Sequence, residues 1–140
     1  MERTCLIVDD EPLVRAYLKA VLGKEQYQTI EAGNAAEAFK IVEKLKGGLD
    51  LIVSDITMPG DMDGIDLAYA VRNAFPAVPV VLVSGFADTK LAARPLGEFS
   101  YVRKPFTPAA ILEAVRRAAS RAWRDCTPSR GCDAYPAPLA

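Results

Sequence analysis

Five short strand-like segments, residues 4–8, 27–32, 50–55, 79–83 and 99–102, alternate along the chain with longer segments whose apolar residues recur at helical spacing. No other feature constrains the fold as strongly. Leu6-Ile7-Val8, Leu51-Ile52-Val53 and Val80-Val81-Leu82-Val83 are apolar at every position, so they suit strands covered on both faces better than a sheet with one wet side. Buried parallel strands need crossover connections, and the intervening amphipathic segments supply them, right-handed by the general rule. The expected fold class is α/β, a doubly wound parallel sheet of five strands with helices on both faces.

The helical segments carry their own punctuation. Val14, Leu18, Val21 and Leu22 share one face of the first, with Asp10 or Glu11 as cap, Pro12 in the opening turn and Gly23 as the stop. Asn34 opens the second with Glu37 as capping-box partner; Ala38, Ile41, Val42 and Leu45 line its inner face, and Gly47-Gly48 ends it. The third is expected over about residues 65–75, with Ile65, Ala68, Val71 and Phe75 inward. The fourth, residues 86–96, contains Pro95 and is expected to be short or irregular. Thr107-Pro108 reads as a helix start for the fifth, whose inward stripe is Ile111, Leu112, Val115, Ala118, Ala119 and Ala122. Its arginines, Arg116, Arg117, Arg121 and Arg124, read as a solvated face. Residues 1–123 form one expected domain, and the Pro- and Gly-punctuated residues 124–140 an expected disordered tail.

Composition removes several function classes. The 140 residues are 51% hydrophobic and 25% charged, enough for a core that needs no disulfide or metal. No apolar run is long enough to cross a bilayer and no signal peptide opens the chain, so the cytoplasm is the expected compartment, without membrane insertion. Residues 1–66 hold 7 Lys and Arg against 13 Asp and Glu, and residues 67–140 hold 10 against 5. The basic half lacks interleaved aromatics or a reading motif, so direct nucleic-acid binding is not expected. Histidine is absent, which excludes Ser-His-Asp chemistry. Cys5 lies in an apolar run, while Cys126 and Cys132 fit no usual zinc spacing and can pair only under oxidising conditions.

The polar residues at the strand ends are the informative ones. The first strand runs into Asp9, Asp10 and Glu11, the third ends in Asp55, the fourth in Ser84, and the fifth is followed by Lys104. Each has an ordinary reading: a strand-ending Asp or Ser can cap a helix or close a turn, and a lysine before proline can sit in solvent. In a doubly wound sheet, however, ligands bind at the carboxyl ends of the strands. Two full carboxylate charges about 4 Å apart repel by roughly 4 kcal/mol at an effective dielectric of about 20. A hard divalent cation relieves that repulsion, and Mg2+ suits a few carboxylates with water or phosphate oxygens completing its shell.

Taken in order, Leu6-Ile7-Val8-Asp9-Asp10-Glu11, Ser54-Asp55-Ile56-Thr57-Met58-Pro59, Asp63-Gly64, Val83-Ser84-Gly85 and Lys104-Pro105-Phe106 resemble the receiver domains of two-component response regulators, including single-domain chemotaxis regulators. The resemblance covers about residues 3–122. It implies a flavodoxin-like fold with strand order 2-1-3-4-5, and a signalling role in which Asp55 takes a phosphoryl group from a phosphohistidine. Asp10 and Asp55 would bind Mg2+ directly, Asp9 through a water, and Thr57 through its backbone carbonyl. Lys104 and Ser84 would each contact a phosphoryl oxygen, and Ser84 with Tyr101 would form the switch. Tyr101 also has the plainer reading of ordinary strand packing. The implied partners are a sensor histidine kinase or histidine phosphotransfer protein, and a downstream protein, with a phosphorylation-dependent dimer among the outputs. Catalysis would be confined to the chain's own phosphorylation and dephosphorylation.

Two other readings compete. A phosphatase of the haloacid-dehalogenase type also uses a strand-ending Asp and Mg2+, but wants a second Asp where this chain has Thr57. A receiver-shaped interaction module that is never phosphorylated has no physical need for clustered acids. Two departures from the usual receiver pattern stand out: one extra residue between Met58-Pro59 and Asp63-Gly64, predicting a bulged loop, and a short Ser84-to-Lys104 stretch containing Pro95.

Overall fold

The structure, a computed structural model, describes residues 3–85 and 99–125, with side chains through Ser120. Five strands, β1 (Arg3–Val8), β2 (Tyr27–Ala32), β3 (Leu51–Asp55), β4 (Val80–Ser84) and β5 (Ser100–Arg103), form one sheet in the order β2-β1-β3-β4-β5. Every neighbouring pair is parallel. The described helices are α1 (Pro12–Lys24), α2 (Ala35–Lys44), α3 (Gly64–Ala74) and α4 (Pro108–Asp125). The expected α/β class and strand order are both present. α4 runs through Arg124 and Asp125, two residues into the expected tail; the rest of that tail, with Cys126 and Cys132, and the expected helix over residues 86–96, with Pro95, lie outside the described residues.

Side-chain alternation along the strands builds two cores. Leu6, Val8, Ile52 and Leu82 face one way and pack with Ala38 and Val42 of α2 and Ile65, Ala68 and Val71 of α3. Cys5, Ile7, Val53 and Val83 face the other way and pack with Leu18 and Leu22 of α1 and Ile111, Ala114 and Ala118 of α4. Each central strand is thus buried on both faces, which is why its sequence is apolar at successive positions rather than at every second one.

Local details depart from expectation in instructive ways. Gly23 does not stop α1; the helix runs to Lys24, and Gln26, with φ 67°, takes the left-handed position. Neither Asp10 nor Glu11 caps α1 with its side chain; Glu11 occupies the N-cap position and donates its own N–H to Asp9 Oδ1 at 2.9 Å. Asn34 does cap α2, accepting from Glu37 N–H at 2.8 Å, but the Glu37 carboxylate turns back to Gly33 N–H instead of closing the box on Asn34. Leu45, expected inward, follows the last turn of α2 and is exposed. β4 and β5 each sit one residue later than expected, because Ser84 and Arg103 still pair with one another. The Thr107 hydroxyl caps α4 as expected, accepting from Ala110 N–H at 3.2 Å.

Candidate functional site

Parallel register carries the polar residues to one edge. Val8 is aligned with Ser54, Asp55 with Val83, and Ser84 with Arg103, so β1, β3, β4 and β5 run out together. Asp9 and Asp10 follow β1, Asp55 ends β3 at the centre of the sheet, Ser84 ends β4 and Lys104 follows β5. Lys104 N–H donates to the Ser84 carbonyl at 2.8 Å, which extends the β4–β5 ladder by one step and fixes where the lysine leaves the sheet.

Asp9, Asp10 and Asp55 each offer a carboxylate oxygen, and the three oxygens lie within 4.8 Å of one another. Lys104 Nζ lies 3.4 Å from Asp55 Oδ2 and 3.6 Å from Asp9 Oδ2. Asp9 is only 1% and Asp55 6% exposed, whereas Asp10 faces solvent. One ammonium among three carboxylates leaves the cluster negative, and burial acts on its two enclosed acids. Burial pushes the Asp55 carboxyl up to about 6, aided by the neighbouring Asp9 charge and opposed by Lys104 and the Thr57 backbone N–H. Burial likewise raises Asp9, against the Glu11 N–H and Lys104. For Lys104 burial works downward, but the Asp55 and Asp9 charges outweigh it and hold the amine above its usual range.

The cluster has the properties of a cation site. Asp9 Oδ2 is buried without a hydrogen-bond partner among the described residues, and the positive group beside it, Lys104 Nζ at 3.6 Å, is shared with Asp55, so one charge serves two buried carboxylates. The donors are all oxygens, with neither Cys nor His among them, which suits a hard ion such as Mg2+ or Ca2+ rather than zinc.

The segment after Asp55 places the extra residue in solvent. Met58 is buried, Pro59, Gly60 and Asp61 are exposed, and Gly60 turns the chain with φ 106°. The loop then closes on α3 through a full capping box: Asp63 Oδ1 accepts from Asp66 N–H at 2.8 Å, and Asp66 Oδ2 accepts from Asp63 N–H at 2.9 Å. Gly64 N–H donates to the Ile56 carbonyl at 2.9 Å, and a Cβ at Gly64 would overlap the Asp55 carbonyl oxygen. Gly64 therefore lets α3 press directly on the backbone of Asp55, a role not assigned to it from the motif alone.

Of the site residues expected from sequence, Asp9, Asp10, Asp55 and Lys104 are brought together. Thr57 is adjacent, with its backbone N–H on the Asp55 carboxylate and its side chain exposed. Ser84 is fully buried, and its hydroxyl donates to the Gly85 carbonyl at 3.1 Å. Tyr101, opposite Leu82 on β5, is 46% exposed. Sequence reading missed Arg15, which reaches from α1 to the Asp9 carbonyl at 2.7 Å; a lone arginine on a helix carries no signal of that contact.

Residues 5–116 match the family model of the response regulator receiver domain. The chain is 34% identical over 115 residues to "Sensor kinase CckA" of Brucella abortus, covering 81% of this chain but only 12% of that protein. It is 32% identical over 119 residues to "Sporulation initiation phosphotransferase F" of Bacillus subtilis, covering 84% of this chain and 94% of that one. Among solved structures, a response regulator receiver protein from Sinorhizobium medicae superposes with a TM-score of 0.77 at 25% identity, over 86% of this chain and 97% of that one.

Proposed function

The chain belongs to the response regulator receiver family, and from that membership we propose that Asp55 accepts a phosphoryl group from a phosphohistidine, with Mg2+ as cofactor. Receiver domains are signalling modules that interact with sensor kinases and downstream effectors. The observation that carries the proposal is the negative cluster itself, in which one ammonium, Lys104, lies 3.4 Å from Asp55 Oδ2 and 3.6 Å from an Asp9 Oδ2 that has no hydrogen-bond partner among the described residues.

In the proposed step an Asp55 carboxylate oxygen attacks phosphorus, the P–N bond to the donor imidazole breaks, and the imidazole nitrogen keeps the electron pair. The product is an acyl phosphate on Asp55. Asp10 and Asp55 are the residues to hold Mg2+ directly, Asp9 through a water, and Thr57 through its carbonyl. When bound, the cation neutralises the acids and the transferring phosphoryl oxygens, where most of the catalysis of phosphoryl transfer lies. Lys104 exchanges its contact with Asp55 for one with a phosphoryl oxygen, as a point charge. Burial keeps competing water away from the nucleophile.

Ser84 and Tyr101 are the proposed switch. The Ser84 hydroxyl gives up the Gly85 carbonyl for a phosphoryl oxygen, and the exposed Tyr101 ring moves toward the vacated space, shifting the population of surfaces offered to a downstream protein or a second copy. The donor has a place to dock. Leu13, 85% exposed in the first turn of α1, lies one helical turn before Tyr17, whose ring centroid is 5.4 Å from that of Phe106. An exposed apolar patch bordering a reactive site marks a protein contact.

Incubation with acetyl phosphate and Mg2+ tests the assignment. Intact mass should rise by one phosphoryl group in the wild-type protein and not in Asp55→Asn; equal incorporation in both would overturn it.

A further inference from the structure

The turn from β1 into α1 must hold two adjacent aspartates against their mutual repulsion, yet α1 starts without a side-chain cap at Glu11. Three bonds hold this turn. Asp9 N–H donates to the Ala32 carbonyl at 3.1 Å, Glu11 N–H donates to Asp9 Oδ1 at 2.9 Å, and the Asp9 carbonyl accepts from Arg15 Nη1 at 2.7 Å. The first two tie Asp9 to the sheet and to the helix start. The third is different, because it is charge-assisted and grips the peptide plane joining Asp9 to Asp10.

Asp10 is exposed, so its carboxylate is placed by the backbone that carries it. Rotating the Asp9–Asp10 peptide would swing that carboxylate away from Asp55. The same guanidinium donates through Nε to Glu31 Oε1, at 3.1 Å, on the edge strand β2. That second contact has two consequences. It locks the planar fork between β2 and the turn, and it places a negative charge beside an arginine that would otherwise repel a cation entering the acid cluster.

We propose that Arg15 is the positioning residue that orients the Asp9–Asp10 peptide for cation binding, with Glu31 holding its guanidinium and offsetting its charge. The inference rests on the reading that the acid cluster binds Mg2+. Arg15 touches neither cation nor phosphoryl group, and acts through the Asp9 carbonyl.

Mg2+ titration by calorimetry, alongside amide hydrogen exchange in EDTA, tests it. Groups that orient metal ligands change affinity by about 10- to 100-fold when removed. Arg15→Met should weaken Mg2+ binding about 10-fold and speed exchange at the Glu11 amide, which is bonded to Asp9 Oδ1 within the same turn. Arg15→Lys, with the charge but not the fork, should recover only part of the affinity. Glu31→Gln, an exposed change that does not threaten folding, should weaken binding by about 3-fold through the uncompensated guanidinium. A folded Arg15→Met that binds Mg2+ within twofold of wild type overturns the inference. Should Arg15→Met fail to fold, wild-type affinity in Glu31→Gln overturns it instead. If the wild-type protein binds no Mg2+, the cation reading itself fails, which separates the two outcomes.

Discussion

Replacing the nucleophile should stabilise the metal-free protein. Asp55 has an ordinary carboxyl value of 3.8 raised to about 6 in the fold, by burial first and the Asp9 charge second. Between these values the folded state binds more protons than the unfolded one, so stability falls as pH rises through about 4 to 6, and the full penalty is present above about 6. At about 1.36 kcal/mol for each pH unit between them, the penalty at neutral pH has a ceiling of about 3 kcal/mol. Asp55→Asn removes the charge and with it that penalty, which is already net of the favourable Lys104 contact, and solvent reaching the partly exposed lysine keeps the realised gain below the ceiling. The net expectation is a gain of about 1–2 kcal/mol at pH 7.5 in EDTA, falling by about two thirds at pH 4.5, where folded Asp55 is protonated but the unfolded carboxyl, at 3.8, is still largely ionised, and vanishing only below that value. Urea unfolding followed by circular dichroism at the two pH values reads this directly. Saturating Mg2+ should reverse the order at pH 7.5, since a ligand of the folded state stabilises only the protein that binds it. An Asp55→Asn variant less stable than wild type at pH 7.5 in EDTA, or a difference independent of pH, would refute the electrostatic reasoning.

Three further outcomes are expected. Gly64→Ala forces a Cβ onto the Asp55 carbonyl, so it should cost about 1–3 kcal/mol in urea unfolding and weaken Mg2+ binding together with phosphorylation. Lys104→Met should keep the fold, by circular dichroism, yet slow phosphorylation by acetyl phosphate about 100-fold, the loss typical of removing one preorganised partner of the developing charge. Leu13→Asp, far out on the exposed side of α1, should leave acetyl phosphate reactivity within twofold and reduce transfer from a phosphorylated histidine protein at least 10-fold, a loss of about 1.4 kcal/mol; equal loss with both donors would show that Leu13 supports the site instead of the docking.

The architecture was legible because each central strand is apolar on both faces, and only a sheet covered by helices on both sides accommodates Ile7-Val8 or Val53 beside Ile52. The acid cluster was legible for the same reason: parallel strands end together, so carboxylates written forty-five residues apart in Asp10 and Asp55 converge. Register-level detail was harder to read. Gly23 looked like a helix stop, but stopping depends on which residue takes the left-handed conformation, and here that is Gln26. The Asp10 or Glu11 cap was plausible by residue type, yet neither side chain caps the helix, and Asp9 Oδ1 instead accepts from the N–H of Glu11, two residues on, at the N-cap position. Arg15 acts through a backbone carbonyl, a contact that depends on tertiary placement and leaves no periodicity or spacing to find, and the Asp63-Gly64 motif marked Gly64 without revealing that it lies against the Asp55 carbonyl.

The central claim is that Asp55 is the residue phosphorylated by a phosphohistidine, with Mg2+ held by the acids beside it. The most direct measurement incubates the protein with a histidine kinase carrying labelled phosphate, follows the label in one portion, and reduces a second portion with borohydride, which releases the phosphate and leaves homoserine at the modified position for peptide mass spectrometry. The expected result is an alkali-labile label before reduction and homoserine at position 55 after it, both absent in EDTA and absent in Asp55→Asn. Label on another residue, or transfer to Asp55 that proceeds equally without divalent cation, would contradict it.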